Sequence, residues 1–152
     1  MSYPMEVKKI QPQAIITIRR VVKTTELSNG LAEILPAVGK YLHEQNIERV
    51  AMPFARYHSF TPDTVDVEAG SMVAAPAAGE GEIKSSELPG GRVLSVMFMG
   101  HYANLMDGHK AAADWMKENG EAQSGPHWEI YWTDPGQEPD PKDWKTELVF
   151  PL

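Results

Sequence analysis

At 152 residues, 42% hydrophobic and 23% charged, the chain is sized and composed as one globular domain, 1–152, that buries roughly 70% of its unfolded surface. Its formal charge of −7, with Lys8-Lys9 and Arg19-Arg20 as the short basic groups, disfavours nucleic acid as a partner, because phosphate binding needs clustered lysine and arginine. The lack of cysteine rules out disulfides and thiolate chemistry. No apolar run nears the ~20 residues of a membrane span and "MSYPMEVKK" lacks a signal-peptide core, so a cytoplasmic protein with no membrane partner is expected.

In chain order, "QAIITIRRVV" (13–22) reads as a β-branched strand. In "SNGLAEILPAVGKYLHEQN", Leu31, Ile34, Leu35, Val38 and Leu42 fall on one helical stripe, with Pro36 as a kink or a start of the regular part. Two strands follow, "RVAMPFARYHSF" and "TVDVEAGSMVAA", parted by the turn signal Thr61-Pro62-Asp63. The Gly-, Pro- and charge-rich stretch 76–91 reads as a loop. Then the plan repeats: the strand "RVLSVMFMGHY", a helix with Leu105, Ala112, Trp115 and Met116 on one face and Asn119-Gly120 as its stop, and the strands "GPHWEIYWTDP" and "WKTELVFPL". The acidic loop 134–143 between them reads as a solvated turn.

Each half is strand, helix, strand, strand: repeat one at about 5–75, a linker at about 76–91 and repeat two at about 92–152. An ungapped overlay at an offset of 73 aligns Asn46 with Asn119, Glu48 with Glu121 and Pro53 with Pro126, and sets Arg56 opposite Glu129. The expected fold is α+β: two pseudo-symmetric repeats forming an antiparallel sheet, two helices on one face, and a central ligand cleft where the halves meet.

Glu129 is the residue that calls for explanation. It sits in mid-strand between Trp128 and Trp132, which alternation puts on the opposite side, and a charge there needs a partner or a ligand. Arg56 or Lys145 would serve as a salt-bridge partner. An organic cation would serve as a ligand, held by charge attraction and by aromatic faces worth roughly 0.5–2 kcal/mol each. If the last two strands pair as a hairpin, Glu129 and Glu147 line one surface near Tyr131. Tyr102, at the strand-to-helix turn, either points into a cleft or bonds a carbonyl. The five histidines, 43, 58, 101, 109 and 127, form no HExxH, and 101 and 109 are too far apart to ligate together on a helix, so neither metal nor cofactor is expected. GxSxG and phosphate-loop signatures are lacking.

With "GHYANL", Trp115, "GPHWEIYWTDP" and "WKTELVFP" in view, the C-terminal half resembles the GyrI-like effector-binding domains, which include the multidrug-sensing domains of bacterial transcription activators. The N-terminal half is similar in element order. The resemblance implies an aromatic-lined cleft holding an acid, a role that maps onto Glu129, with a second acid mapping onto Glu147. Where family members carry an aromatic two residues further on, this chain has Val149, which leaves that side of a cage without a ring. The resemblance further implies a stand-alone ligand-binding protein, since activators of this kind place a DNA-binding domain ahead of the effector domain. The leading expectation is a sink or sensor for bulky, lipophilic, often cationic small molecules, with Glu129 and Glu147 as acids and Tyr102, Tyr131, Phe98 and Tyr57 as walls. A hydrolase of reactive cyclopropane-containing compounds, with Glu129 as acid or base, is the enzymatic alternative. A protein-partner role of the gyrase-inhibitor kind, which gave the family its name, is the third.

Overall fold

The structure, a computed structural model, describes residues 3–152. Along the chain run β1 (Met5–Ile10), β2 (Gln13–Lys23), α1 (Leu27–Glu44), β3 (Phe54–Phe60), β4 (Thr64–Met72), β5 (Lys84–Leu88), β6 (Gly91–Met99), α2 (Leu105–Glu118), β7 (Trp128–Tyr131) and β8 (Lys145–Pro151). The class is α+β, as expected, and the strand pairings are antiparallel.

Two compact units divide the chain: 11–90, and 91–152 together with the N-terminal segment through Ile10. In the first, the strands lie in the order β5-β2-β4-β3; in the second, β1-β6-β8-β7. Each strand-helix-strand-strand repeat therefore gains a fourth strand, β5 beside β2 and β1 beside β6. Neither was anticipated, and β5 lies inside the stretch 76–91 expected to be loop. The reason is physical: "KSSEL" is exposed along four of its five residues. A strand at the end of a sheet is held by backbone bonds on one side and needs no apolar alternation to announce it.

α1 covers one face of its unit. Gly30, Ile34, Val38 and Leu42 are buried at a spacing of four, while the exposed Pro36 sits inside the helix, its missing N–H on the solvent side. Arg20 reaches Glu33 on α1 at 3.0 Å, which marks the even-numbered side of β2, with Ile16 and Ile18, as the helix side. Ile15 and Thr17 on the other side are buried as well.

In the second unit, Leu94 and Val96 of β6 and Leu148 and Phe150 of β8 form a core with Ala112 and Met116 of α2, and Leu105 and Trp115 pack at its margin. The register pairs Leu94 with Phe150 and Val96 with Leu148, so all four point at the helix. Gly108 sets how close α2 comes: a Cβ there would lie 2.8 Å from Leu148 Cδ1 and 3.2 Å from Phe98. The bare backbone seats on those side chains and carries His109 in with it.

Two glycines should respond in opposite ways to an added methyl. In α1, Gly39 has nothing within 4 Å of its missing Cβ, so Gly39→Ala should stabilise by about 0.5–1 kcal/mol through helix propensity. On β4, the same atom at Gly70 would lie 2.1 Å from the Ile16 carbonyl oxygen, so Gly70→Ala should cost about 3 kcal/mol or more. Urea unfolding of both variants measures the two effects side by side.

Candidate functional site

Side chains that pair directly across an antiparallel ladder share a face. β7 meets β8 with Trp128 opposite Val149, Glu129 opposite Leu148, Ile130 opposite Glu147 and Tyr131 opposite Thr146. Glu129 thus lies on the helix side with Leu148, and Glu147 on the other side with Ile130. The expectation that both carboxylates line one surface is corrected. The hairpin itself forms as expected, but a register one residue away from the assumed one sends every side chain to the opposite face.

Glu129 is 4% exposed. Its Oε2 lies 2.8 Å from His109 Nε2 of α2, and its Oε1 accepts a hydrogen bond from the Tyr131 hydroxyl at 3.0 Å. Its partners are therefore an imidazole and a phenol, in place of the Arg56 or Lys145 considered from the sequence. The His109 ring sits edge-on to His127 at 4.9 Å and to Phe150 at 5.6 Å, and His127 stacks on Phe150 at 5.4 Å. Burial first, and the neighbouring His109 second, push the His127 pKa down to about 4 against the pull of Glu129, so this imidazole is neutral near pH 7. One donor atom from each of His109, His127 and Glu129 falls within 4.8 Å of the others. Sequence spacing had set metal aside; here the two histidines come from a helix and from the approach to a strand, a combination no linear motif encodes.

Glu147 is equally committed on the opposite side. Ser95 Oγ donates to it at 2.6 Å, Trp132 Nε1 at 2.9 Å and Lys8 Nζ at 3.0 Å. Burial alone would raise its pKa, but those three hydrogen bonds and the Lys8 charge outweigh burial and hold the carboxyl below its usual value. The first unit repeats the device with a residue the sequence reading missed. Glu68, buried on β4, accepts from Thr17 Oγ1 at 2.7 Å and lies 2.9 Å from His58 Nε2. The hydroxyl-to-acid separations are 51 residues for Thr17–Glu68 and 52 for Ser95–Glu147, a repeat signal that was legible in the sequence. Matching Glu68 to Glu147 makes Arg56, the partner of Glu68 in the ladder, the counterpart of Ile130, so the overlay that set Arg56 opposite Glu129 is one residue out.

Among the remaining expected residues, Tyr102 and Tyr131 come together. The Tyr102 and Tyr131 rings meet edge-on at 5.6 Å, Trp144 lies 5.0 Å from Tyr102, and His101 stacks on Trp144 at 5.2 Å. The Tyr102 hydroxyl donates to the Thr133 carbonyl at 3.4 Å, and burial, with the Asp134 charge, raises its pKa. Trp144, which was not singled out from the sequence, anchors this cluster through a bond from its Nε1 to the Glu138 carbonyl at 2.8 Å. Phe98 is 1% exposed beneath Gly108 and meets Tyr3 at 5.3 Å, a packing position. Tyr57 belongs to the unit 11–90, where its ring meets Phe60 at 6.2 Å. Trp128 is buried, as expected.

A family model, the GyrI-like small molecule binding domain, matches residues 3–152. The chain belongs to this family. Its fold is similar to that of the EcmrR C-terminal domain, with a TM-score of 0.88 at 23% identity over 99% of this chain and 98% of that one. In the structure of EcmrR with DNA, the TM-score is 0.87 at 22% identity over 99% of this chain, which spans 57% of the EcmrR chain. A hydrolase from Listeria innocua matches with a TM-score of 0.64 at 12% identity, over 99% of this chain and 92% of that one. SAV2435 bound to tetraphenylphosphonium matches with 0.60 at 9%, over 99% and 93%. At these identities the likeness is one of fold. No curated protein matches the sequence significantly. No helix among the described residues is long and apolar enough to cross a membrane.

The Glu147 cluster has a pH signature. A folded-state pKa below the unfolded value means the carboxylate contributes stability above about 4.5 and loses it as pH falls through the folded pKa. Glu147→Gln should therefore cost about 1–2 kcal/mol at pH 7, discounted for the part-exposed Lys8, and the gap to wild type should shrink at pH values below about 4. Thermal unfolding across pH 3–7 measures that gap.

Proposed function

We propose that the protein binds bulky, lipophilic, often cationic small molecules in the cytoplasm, as a sink or sensor, with Glu129 as the charge complement. One observation carries the reading: a carboxylate 4% exposed whose hydrogen-bond partners are His109 and Tyr131, groups without a fixed charge. Burying an anion against such partners is costly, and a cation arriving at Oε2 relieves the cost that an imidazole and a phenol only reduce. The Tyr131–Tyr102–Trp144 rings beside it offer faces worth roughly 0.5–2 kcal/mol each to a cation. Membership of a small-molecule-binding family supports the reading, as does a relative of the same fold bound to tetraphenylphosphonium. Glu147 is assigned a supporting role: its oxygens are engaged by Ser95, Trp132 and Lys8, and it ties β1 and β6 to β8. Phe98, 1% exposed, is assigned to packing, and Tyr57 stays a proposed wall residue of the unit 11–90.

Titration with tetraphenylphosphonium, followed by tryptophan fluorescence, tests this. Glu129→Gln should weaken binding by about 1.5–3 kcal/mol, roughly ten- to a hundredfold or slightly more. A neutral analogue of similar shape should bind the two proteins alike. Equal affinity of wild type and variant for the cation sinks the assignment.

The hydrogen-bonded run His109–Glu129–Tyr131, at 2.8 and 3.0 Å, favours a second reading. With Glu129 accepting from Nε2–H and held in turn by the Tyr131 hydroxyl, His109 takes a proton from the attacking water through Nδ1 as one strained ring C–C bond breaks, and returns that proton to the carbon released. The fold is also that of a Listeria innocua hydrolase, and the substrate class proposed is reactive cyclopropane-containing compounds. Turnover of such a compound that disappears in Glu129→Gln while its binding persists separates this reading from the first.

A further inference from the structure

The geometry points to a divalent transition-metal site formed by His109, His127 and Glu129, of the kind that takes Zn²⁺ or Co²⁺. The three residues reach one point from three directions: His109 from α2, His127 from the segment before β7, and Glu129 from β7 itself. Their donor atoms lie within 4.8 Å of one another, and all three belong to the same compact unit. A tetrahedral ion with bonds of about 2.0–2.2 Å spaces its ligand atoms by about 3.2–3.5 Å. To admit the ion, the His109–Glu129 pair, now at 2.8 Å, has to open by roughly half an ångström, and the wider spacings, which reach up to 4.8 Å, have to close by as much as about 1.5 Å through side-chain rotation.

The surroundings are those a metal site requires. The Tyr131 hydroxyl holds Glu129 Oε1 and leaves Oε2 to the His109 imidazole. Phe150 fixes both rings, His127 by stacking on it and His109 by meeting it edge-on. Two imidazoles and one carboxylate are a borderline donor set, suited to zinc, cobalt or nickel rather than to calcium or magnesium, which take oxygen ligands. The three residues supply three ligands, so a tetrahedral ion would take its fourth from water or a ligand oxygen, and the His109 side chain is 20% exposed to solvent. The ion and an organic cation would compete for Glu129. The metal site does not depend on the organic-cation reading, because its other two ligands are histidines to which an organic cation is not attracted.

The test uses the untagged full chain, since a histidine tag would bind the same ions. Calorimetric titration with Zn²⁺ should show one equivalent bound, and Co²⁺ should develop the intense visible absorption of a four-coordinate site. His109→Gln and His127→Gln should each weaken Zn²⁺ binding at least about tenfold, whereas His101→Gln, outside the trio, should leave it unchanged. Zn²⁺ should raise the unfolding temperature of wild type and not of the two variants. Should a variant fail to fold, paramagnetic shifts of the His109 and His127 imidazole signals on adding Co²⁺ to wild type give the answer without substitution. Binding that survives both histidine substitutions, or no heat and no visible band up to about 1 mM metal, overturns the proposal. His127→Gln also separates the two readings: it should lose the metal and keep tetraphenylphosphonium.

Discussion

The register of β7 against β8 decides what this protein has to work with. Four residues of ladder, Trp128 to Tyr131, set Glu129 beneath α2 and Glu147 on the far side of the same sheet. A slip of one residue would put Glu129 on the side that Glu147 already occupies, because the pairing of β8 with β6 holds Glu147 in place. Glu129 would then share the sheet face of Ser95 and Lys8, and His109 on the helix side would lose its acid. That register is secured by packing rather than by the connecting loop: Trp128 is buried on one face while Leu148 and Phe150 enter the helix-side core on the other.

The approach of α2 follows from the same arrangement. Gly108 lets the helix backbone rest on Leu148 and Phe98, and the next residue, His109, arrives within hydrogen-bond distance of Glu129. A buried carboxylate is tolerated only when its oxygens are satisfied, and here the satisfaction comes from an imidazole and a phenol. Glu147 and Glu68 are satisfied from within the sheet. Each is fixed by a hydroxyl from the adjoining strand, with Lys8 added in one case and His58 in the other. The three buried acids among the described residues thus share one device, a hydroxyl donor plus a second partner, and differ in where the partners come from: Glu129 alone is met by a side chain of a helix.

Comparison of the units shows where the second departed from the plan they share. The hydroxyl–carboxylate pairs Thr17–Glu68 and Ser95–Glu147 occupy matching places, and so do the strands that carry them. The ladder match puts Ala55 where the second unit has Glu129. An ordinary core position in one repeat has become an acid in the other, with a histidine from the helix above to receive it. This asymmetry sets the Glu129–His109 pair in the unit formed by 91–152 and the N-terminal segment.

Much of this was present in the residues themselves. The helical stripes, the β-branched strands and the duplicated order follow from periodicity, because a segment packing against a core must place apolar side chains at the spacing of its own backbone. Glu129 was identifiable for a related reason, since an acid between two tryptophans violates that pattern. Strands β1 and β5 were not legible, because a terminal strand is held by backbone bonds that leave little trace in side-chain polarity. The partners of Glu129 were not legible either. His109 lies 20 residues away on another element, and its meeting with the acid depends on helix approach and strand register together. Local sequence determined which elements form and which residue carries an unexplained charge. Tertiary packing decided which face that charge occupies and which side chains meet it there, because register and helix seating arise from contacts between segments distant in the chain.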